Sequence, residues 1–223
     1  MTQSGRFSFL TLAPLPINIG STFLSRKKYI NNLLLKRHKV HSKNTVPITM
    51  ELNQAMELIQ GNYLLSNKPT LWTDLGCGSG LFTNALARLL APGSKIFAVD
   101  KNINTFKNFS QNNNVITEKI EADFIYDELN LENLDGVMMA NSLHYVKDKF
   151  SFIKKVNRYL KNNGCFLIVE YDTDTANPWV PYPLSFNTMK SLFITTGFHS
   201  VNKLNETLSR FNRSKIYSVI ITA

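Results

Sequence analysis

The sequence of 223 residues has only two cysteines, Cys77 and Cys165. Two thiols build no disulfide framework and point to a reducing compartment. No apolar run approaches the roughly 20 residues that cross a bilayer, so no membrane span is expected. No internal repeat is present. Neither the cysteines nor His199 fall at metal-ligand spacing, so no metal is expected. Acidic residues are missing from one stretch altogether. Residues 1–49 hold Arg6, Arg26, Lys27, Lys28, Lys36, Arg37, Lys39 and Lys43 and no Asp or Glu. The formal charge of +9 therefore belongs almost wholly to this segment, because the remaining 17 basic and 16 acidic residues nearly cancel. A near-neutral body argues against a nucleic-acid surface.

The segment 1–49 is rich in Ser, Asn and Lys and carries Pro14, Pro16 and Pro47. It reads as a disordered basic extension of a domain that starts near Met50, with a short helix expected over Tyr29–Leu35. A basic, acid-free stretch also suits a transit-like peptide or an arm for an anionic partner. The expected location is cytoplasmic, or organellar if the segment is a transit peptide. At 223 residues the chain fits one α/β domain with a sizeable core.

The stretch around which the rest is arranged is Asp74-Leu75-Gly76-Cys77-Gly78-Ser79-Gly80-Leu81. The apolar run Leu71–Leu75 predicts a strand, and Leu81, Ala85, Leu86 and Leu89 share one face of a helix. Glycines at alternate positions let the turn tighten and let a ligand touch the backbone. The helix start offers unpaired N–H groups, and Asp74 closes the strand as an acceptor. The dinucleotide fingerprint G-x-G-x-x-G would need a third glycine where Leu81 stands, which counts against a nicotinamide-dependent oxidoreductase.

Downstream, the periodicity predicts alternating helices and strands. An amphipathic helix is expected over Met50–Leu65, strand one over Thr70–Leu75, and a helix to about Ala91. Strand two follows over Lys95–Asp100, a helix around Ile103–Gln111, strand three over Val115–Glu121 and strand four over Gly136–Ala140. A helix over about Lys147–Lys161 with Gly164 as its C-cap precedes strand five, Cys165–Glu170. A helix over Phe186–Thr196 and two strand-like segments, Ser200–Leu208 and Ile216–Thr222, close the chain. Such alternation implies right-handed crossovers and a doubly wound parallel sheet.

Asp74 to Gly80 resembles motif I of the class I S-adenosylmethionine-dependent methyltransferases, D-x-G-C-G-x-G. The likeness extends over about residues 55–223. It implies a Rossmann-like, mostly parallel seven-stranded sheet with an antiparallel C-terminal hairpin, and S-adenosyl-L-methionine as cofactor. It places Asp74, Gly76, Cys77, Gly78 and Gly80 around that cofactor. Asp100, ending strand two, would accept the ribose hydroxyls. Lys101 stands where the family more often has an apolar residue against adenine, so its alkyl stem would have to serve. Asp123 in Glu121-Ala122-Asp123-Phe124 looks like the family's adenine-binding acid, with Phe124 lining the ring; a helix N-cap is the alternative reading. Cys77 is common in the family without a nucleophilic role.

Asn141-Ser142-Leu143-His144-Tyr145 leaves strand four where the family faces the reactive methyl, with Asn141 at the cofactor. The small-molecule branch often carries L-H-Y there. Enzymes that methylate an exocyclic base amine typically carry N-P-P-[YFW], which this chain lacks. Imidazole exchanges protons near neutral pH, so His144 is a candidate general base, with a structural role as the alternative. Tyr145, Glu170, Tyr171, Trp179 and Tyr182 are candidates for the acceptor pocket, aromatic walls with a few polar points. The expected reaction is in-line methyl transfer to an oxygen or carbon of a small molecule. The alternatives are an RNA methyltransferase using the basic arm and a cofactor-binding module without turnover.

Overall fold

The computed structural model describes residues 50–64, 66–107, 114–208 and 215–223. The segment 1–49, with the helix expected over Tyr29–Leu35, lies outside them. Seven strands make one sheet: β1 Leu71–Leu75, β2 Lys95–Asp100, β3 Ile116–Glu121, β4 Leu134–Ala140, β5 Leu160–Tyr171, β6 Ser200–Leu208 and β7 Lys215–Thr222. Their order is β3-β2-β1-β4-β5-β7-β6. The pairs among β1 to β5 are parallel, whereas β7 runs antiparallel to both β5 and β6. This is the doubly wound sheet with an antiparallel C-terminal hairpin that the sequence predicts.

Among the described residues four α-helices accompany the sheet: α1 Leu52–Ile59, α2 Leu81–Leu89, α3 Lys149–Asn157 and α4 Phe186–Thr195. Successive side chains of a strand point to opposite faces, and both faces of the central strands are covered. Val137, Met139, Phe166 and Ile168 pack with Ile153 and Val156 of α3 and with Met189 and Phe193 of α4. Met138, Leu167 and Val169 point the other way, among Leu58 and Ile59 of α1 and Ala85 and Leu86 of α2. The near-continuous apolar runs of β4 and β5 follow from this double burial.

Two expected features differ. Where a helix is expected around Ile103–Gln111, the described part is a single 3-10 turn, Ile103–Thr105, followed by non-helical Phe106 and Lys107. Phe106 instead tucks its ring under the glycine turn, beside Cys77 and Ala98. Nor does Gly164 cap a helix. α3 stops at Asn157, Leu160 already pairs with Leu134, and Gly164 lies inside β5 where the pairing with β4 shifts register. A Cβ on Gly164 would stand 3.0 Å from the Leu134 carbonyl oxygen, so the residue permits close strand approach.

Candidate active site

β1 lies between β2 and β4, so the crossovers on its two sides lead in opposite directions and leave a crevice at the strands' carboxyl ends. A cavity of about 560 Å³ occupies it. Its walls come from the loop after β1 (Asp74, Gly76, Cys77, Gly78 and Ser79) and from Leu81 and Phe82 at the start of α2. Asp100 and Lys101 follow β2, Asp123, Phe124 and Ile125 follow β3, and Ala140, Asn141, Ser142 and Tyr145 follow β4.

The glycine turn is built for contact. Gly78 holds a left-handed φ of 52°, and a Cβ there would meet nothing within 4 Å, so its backbone faces open cavity. Its N–H donates to Asp100 Oδ2 at 2.8 Å, while Asn102 N–H donates to Oδ1 at 2.9 Å. The Asp100 carboxylate is thereby fixed at the rim with lone pairs to spare. Gly80 is the one motif glycine that does not line the cavity; a Cβ there would meet the Phe106 ring at 2.6 Å.

Two buried acceptors in the cavity wall have no partner among the described residues. Asp74 is 1% exposed; Thr83 Oγ1 donates to its Oδ2 at 2.6 Å, but Oδ1 bonds to no described residue. Burial, opposed by the Thr83 hydrogen bond and reinforced by the Asp100 carboxylate, raises its pKa from 3.8 to about 7. Asn141 Oδ1 is the second unpartnered atom. Its backbone takes a left-handed φ of 53° and is pinned by Asn141 N–H to Val169 O at 2.8 Å. Buried polar atoms are seldom left unsatisfied, and two together in one cavity suit a ligand with donors at one end. S-adenosylmethionine, with its amino group, ribose hydroxyls and adenine amine, has donors for Asp74, Asn141, Asp100 and Asp123. Cys77 is no nucleophile here, because burial and the carboxylates of Asp74 and Asp100 push its thiol pKa up.

Asp123 does not cap a helix. It opens a turn, its Oδ1 accepting from Ile125 N–H at 3.0 Å. Phe124 beside it meets Phe152 edge to face, centroids 5.8 Å apart. His144, expected to face the transferred methyl, lies instead one layer behind the cavity, with its side chain 3% exposed. Glu170 Oε2 accepts from Nδ1 at 2.7 Å, and Oε1 from the His144 backbone N–H at 3.1 Å. That arrangement fixes the ring and leaves Nε2 as its acceptor in the neutral tautomer. The ring packs against Tyr145, centroids 4.4 Å apart, and Tyr145 is the residue at the cavity.

Glu170 is therefore a partner of His144 and not a pocket wall. Tyr171 packs behind His144 at 6.3 Å between centroids. Trp179 is 78% exposed and belongs to neither this cavity nor the one adjoining it, whereas Tyr182 lines the adjoining one. Tyr182 is held by its N–H to His144 O at 3.0 Å and by Lys149 Nζ, which donates to Tyr182 O and Val146 O, both at 2.7 Å. Thr83 and Ser142 carry site roles the sequence reading misses. Ser142 Oγ donates to Leu75 O at 2.6 Å and ties the β4 exit to the β1 exit.

Residues 73–168 match the family described as methyltransferase domain. The mitochondrial ubiquinone biosynthesis O-methyltransferase of Bos taurus is 32% identical over 101 residues, 43% of this chain and 27% of that protein. The chain thus spans just over a quarter of that relative. Among solved structures, the Burkholderia thailandensis 1,6-didemethyltoxoflavin-N1-methyltransferase, with its substrate and S-adenosylhomocysteine bound, superposes with a TM-score of 0.55 at 14% identity. That match covers 95% of this chain and 92% of the other. The plantazolicin methyltransferase in complex with S-adenosylhomocysteine gives 0.56 at 12% identity, covering 92% and 91%. At such identities the likeness is one of fold.

Proposed function

We propose, from the premise that residues 73–168 are a methyltransferase domain of the S-adenosylmethionine-dependent class with S-adenosylmethionine as cofactor, that the chain methylates a small molecule at an oxygen or carbon atom. The observation that carries the reading is the pair of unpartnered buried acceptors, Asp74 Oδ1 and Asn141 Oδ1, in the wall of a switch-point cavity. When bound, the cofactor supplies an electrophilic methyl group on a sulfonium. The residues of this chain bind, orient and exclude water. Asp74 and Asn141 accept from the amino-acid end, Asp100 from the ribose and Asp123 from the adenine amine. The alkyl stem of Lys101 and the ring of Phe124 cover the base. Alignment for in-line displacement contributes about 7–11 kcal/mol of barrier reduction, so no covalent residue is needed.

Tyr145 meets the acceptor, and the His144–Glu170 pair positions Tyr145 from behind. A small acceptor is supported by the size of the cavities, within the range of roughly 300–1,000 Å³ typical of small-molecule sites, and by the near-neutral charge of residues 50–223. The bovine relative is described as mitochondrial, and the acid-free segment 1–49 suits an organellar address as well as the cytoplasm. Calorimetric titration should show saturable binding of S-adenosylhomocysteine and none of NAD. With 13C-methyl-labelled cofactor, the label should pass to a component of a small-metabolite fraction, with the chemical shift of an O- or C-methyl. Preferential labelling of RNA would sink the small-molecule reading, and an N-methyl shift would sink the assignment of the atom.

A further inference from the structure

We propose that the acceptor's subsite is a second cavity beyond Tyr145, and that it takes an aromatic acid, a planar ring carrying a carboxylate away from the atom that receives the methyl. This inference rests on the methyltransferase reading above. The second cavity, about 510 Å³, adjoins the first and shares Ile125 and Tyr145 with it. Tyr145 is 51% exposed, so its ring is a wall open to a ligand and not core packing. Tyr126 and Tyr182 add two more exposed rings. Three tyrosines around one cavity suit a flat aromatic guest, which gains area burial and ring-to-ring contact with each of them.

This cavity is basic. Lys147, Lys155 and Arg158 line it against one acid, Asp148. Asp148 is the N-cap of α3, its Oδ1 accepting from Ser151 N–H, and one acid against three bases leaves the lining net positive. Lys155 Nζ is held in place by the carbonyls of Ile125 and Asp127, at 3.4 and 2.7 Å. Lys147 and Arg158 form no ion pair with any described residue. Two other surface cavities are acidic, one lined by Glu118, Asp127 and Glu128, the other by Glu57 and Glu206. Since residues 50–223 are nearly neutral overall, gathering cations at a cavity that adjoins the cofactor site selects for an anion. A guanidinium fork and an ammonium both match a carboxylate, through charge-assisted hydrogen bonds.

The test uses the full chain saturated with S-adenosylhomocysteine and two probes of equal shape, 3,4-dihydroxybenzoate and 3,4-dihydroxybenzamide, followed by calorimetry. The acid should bind at least about tenfold more tightly than the amide, as expected for a charge-assisted contact. In the double variant Lys147→Gln, Arg158→Gln the two probes should bind alike, while affinity for S-adenosylhomocysteine stays at the wild-type value and shows that the variant is folded. Equal affinities in the wild type, no saturable binding of the acid, or discrimination that survives in the variant would overturn the subsite. Failure of S-adenosylhomocysteine itself to bind would instead overturn the methyltransferase reading, so the two failures are told apart within one titration series.

Discussion

Asp74 holds a carboxyl group with one oxygen tied to Thr83 and the other without a partner, buried at 1% exposure. Desolvation raises its pKa to about 7, from 3.8. A carboxyl whose folded pKa lies above its unfolded value binds its proton more readily when folded. Stability of the cofactor-free chain should therefore fall as pH rises from about 4 to about 7. A cationic amine seated against Oδ1 would favour the charged form again, so cofactor binding should expel a proton in that window. Titrations with S-adenosylhomocysteine around pH 6, run in buffers of different ionisation enthalpy, should give apparent binding enthalpies that differ. Asp74→Asn should abolish that difference, flatten the stability profile and weaken binding at least about tenfold, since a hydrogen bond to a charged group is worth about 1.5–3 kcal/mol. Wild-type affinity in that variant would remove Asp74 from the cofactor site.

At the scale of the element, the exit of β5 is locked to the turn after β4. Glu170 holds both the ring and the backbone of His144, and both side chains are almost wholly buried. Removing one member of such a pair leaves its partner stranded, so Glu170→Ala should cost about 3–5 kcal/mol, read from urea unfolding. Were His144 a solvent-facing base with Glu170 as a mere neighbour, stability would be nearly unchanged. This lock is also where the sequence stops being informative. The strand–turn–helix of Asp74 to Leu89 is legible because local chemistry dictates it, and β2 and β6 have the predicted bounds, their starts announced by Pro92-Gly93 and by Gly197. The depth of His144 is not legible, because it depends on a left-handed Asn141 that turns the chain and on a carboxylate 26 positions away. Thr83 and Ser142 escape notice for the same reason, since each acquires its role only when two strand ends meet. Gly164 reads as a helix stop because glycine stops helices, yet a neighbouring strand's carbonyl is what requires it.

On the scale of the whole molecule, charge is segregated: residues 1–49 carry eight bases and no acid, whereas residues 50–223 are nearly neutral. A polar, proline-interrupted segment contributes little to a core. A chain starting at Met50 should keep the melting temperature and the affinity for S-adenosylhomocysteine of the full chain, and a drop of several degrees would show that the segment packs on the domain. The strand order of the sheet also bears on its assembly. β7 follows β6 in the chain yet lies between β5 and β6, paired on both flanks. Until β7 is in place, β6 has no strand to join and the outer flank of β5 stays open. A folding chain carries these unpaired edges through that interval, each a template for pairing with another chain. The strand that closes the sheet thus also ends the period in which a half-made molecule is most prone to misassociate.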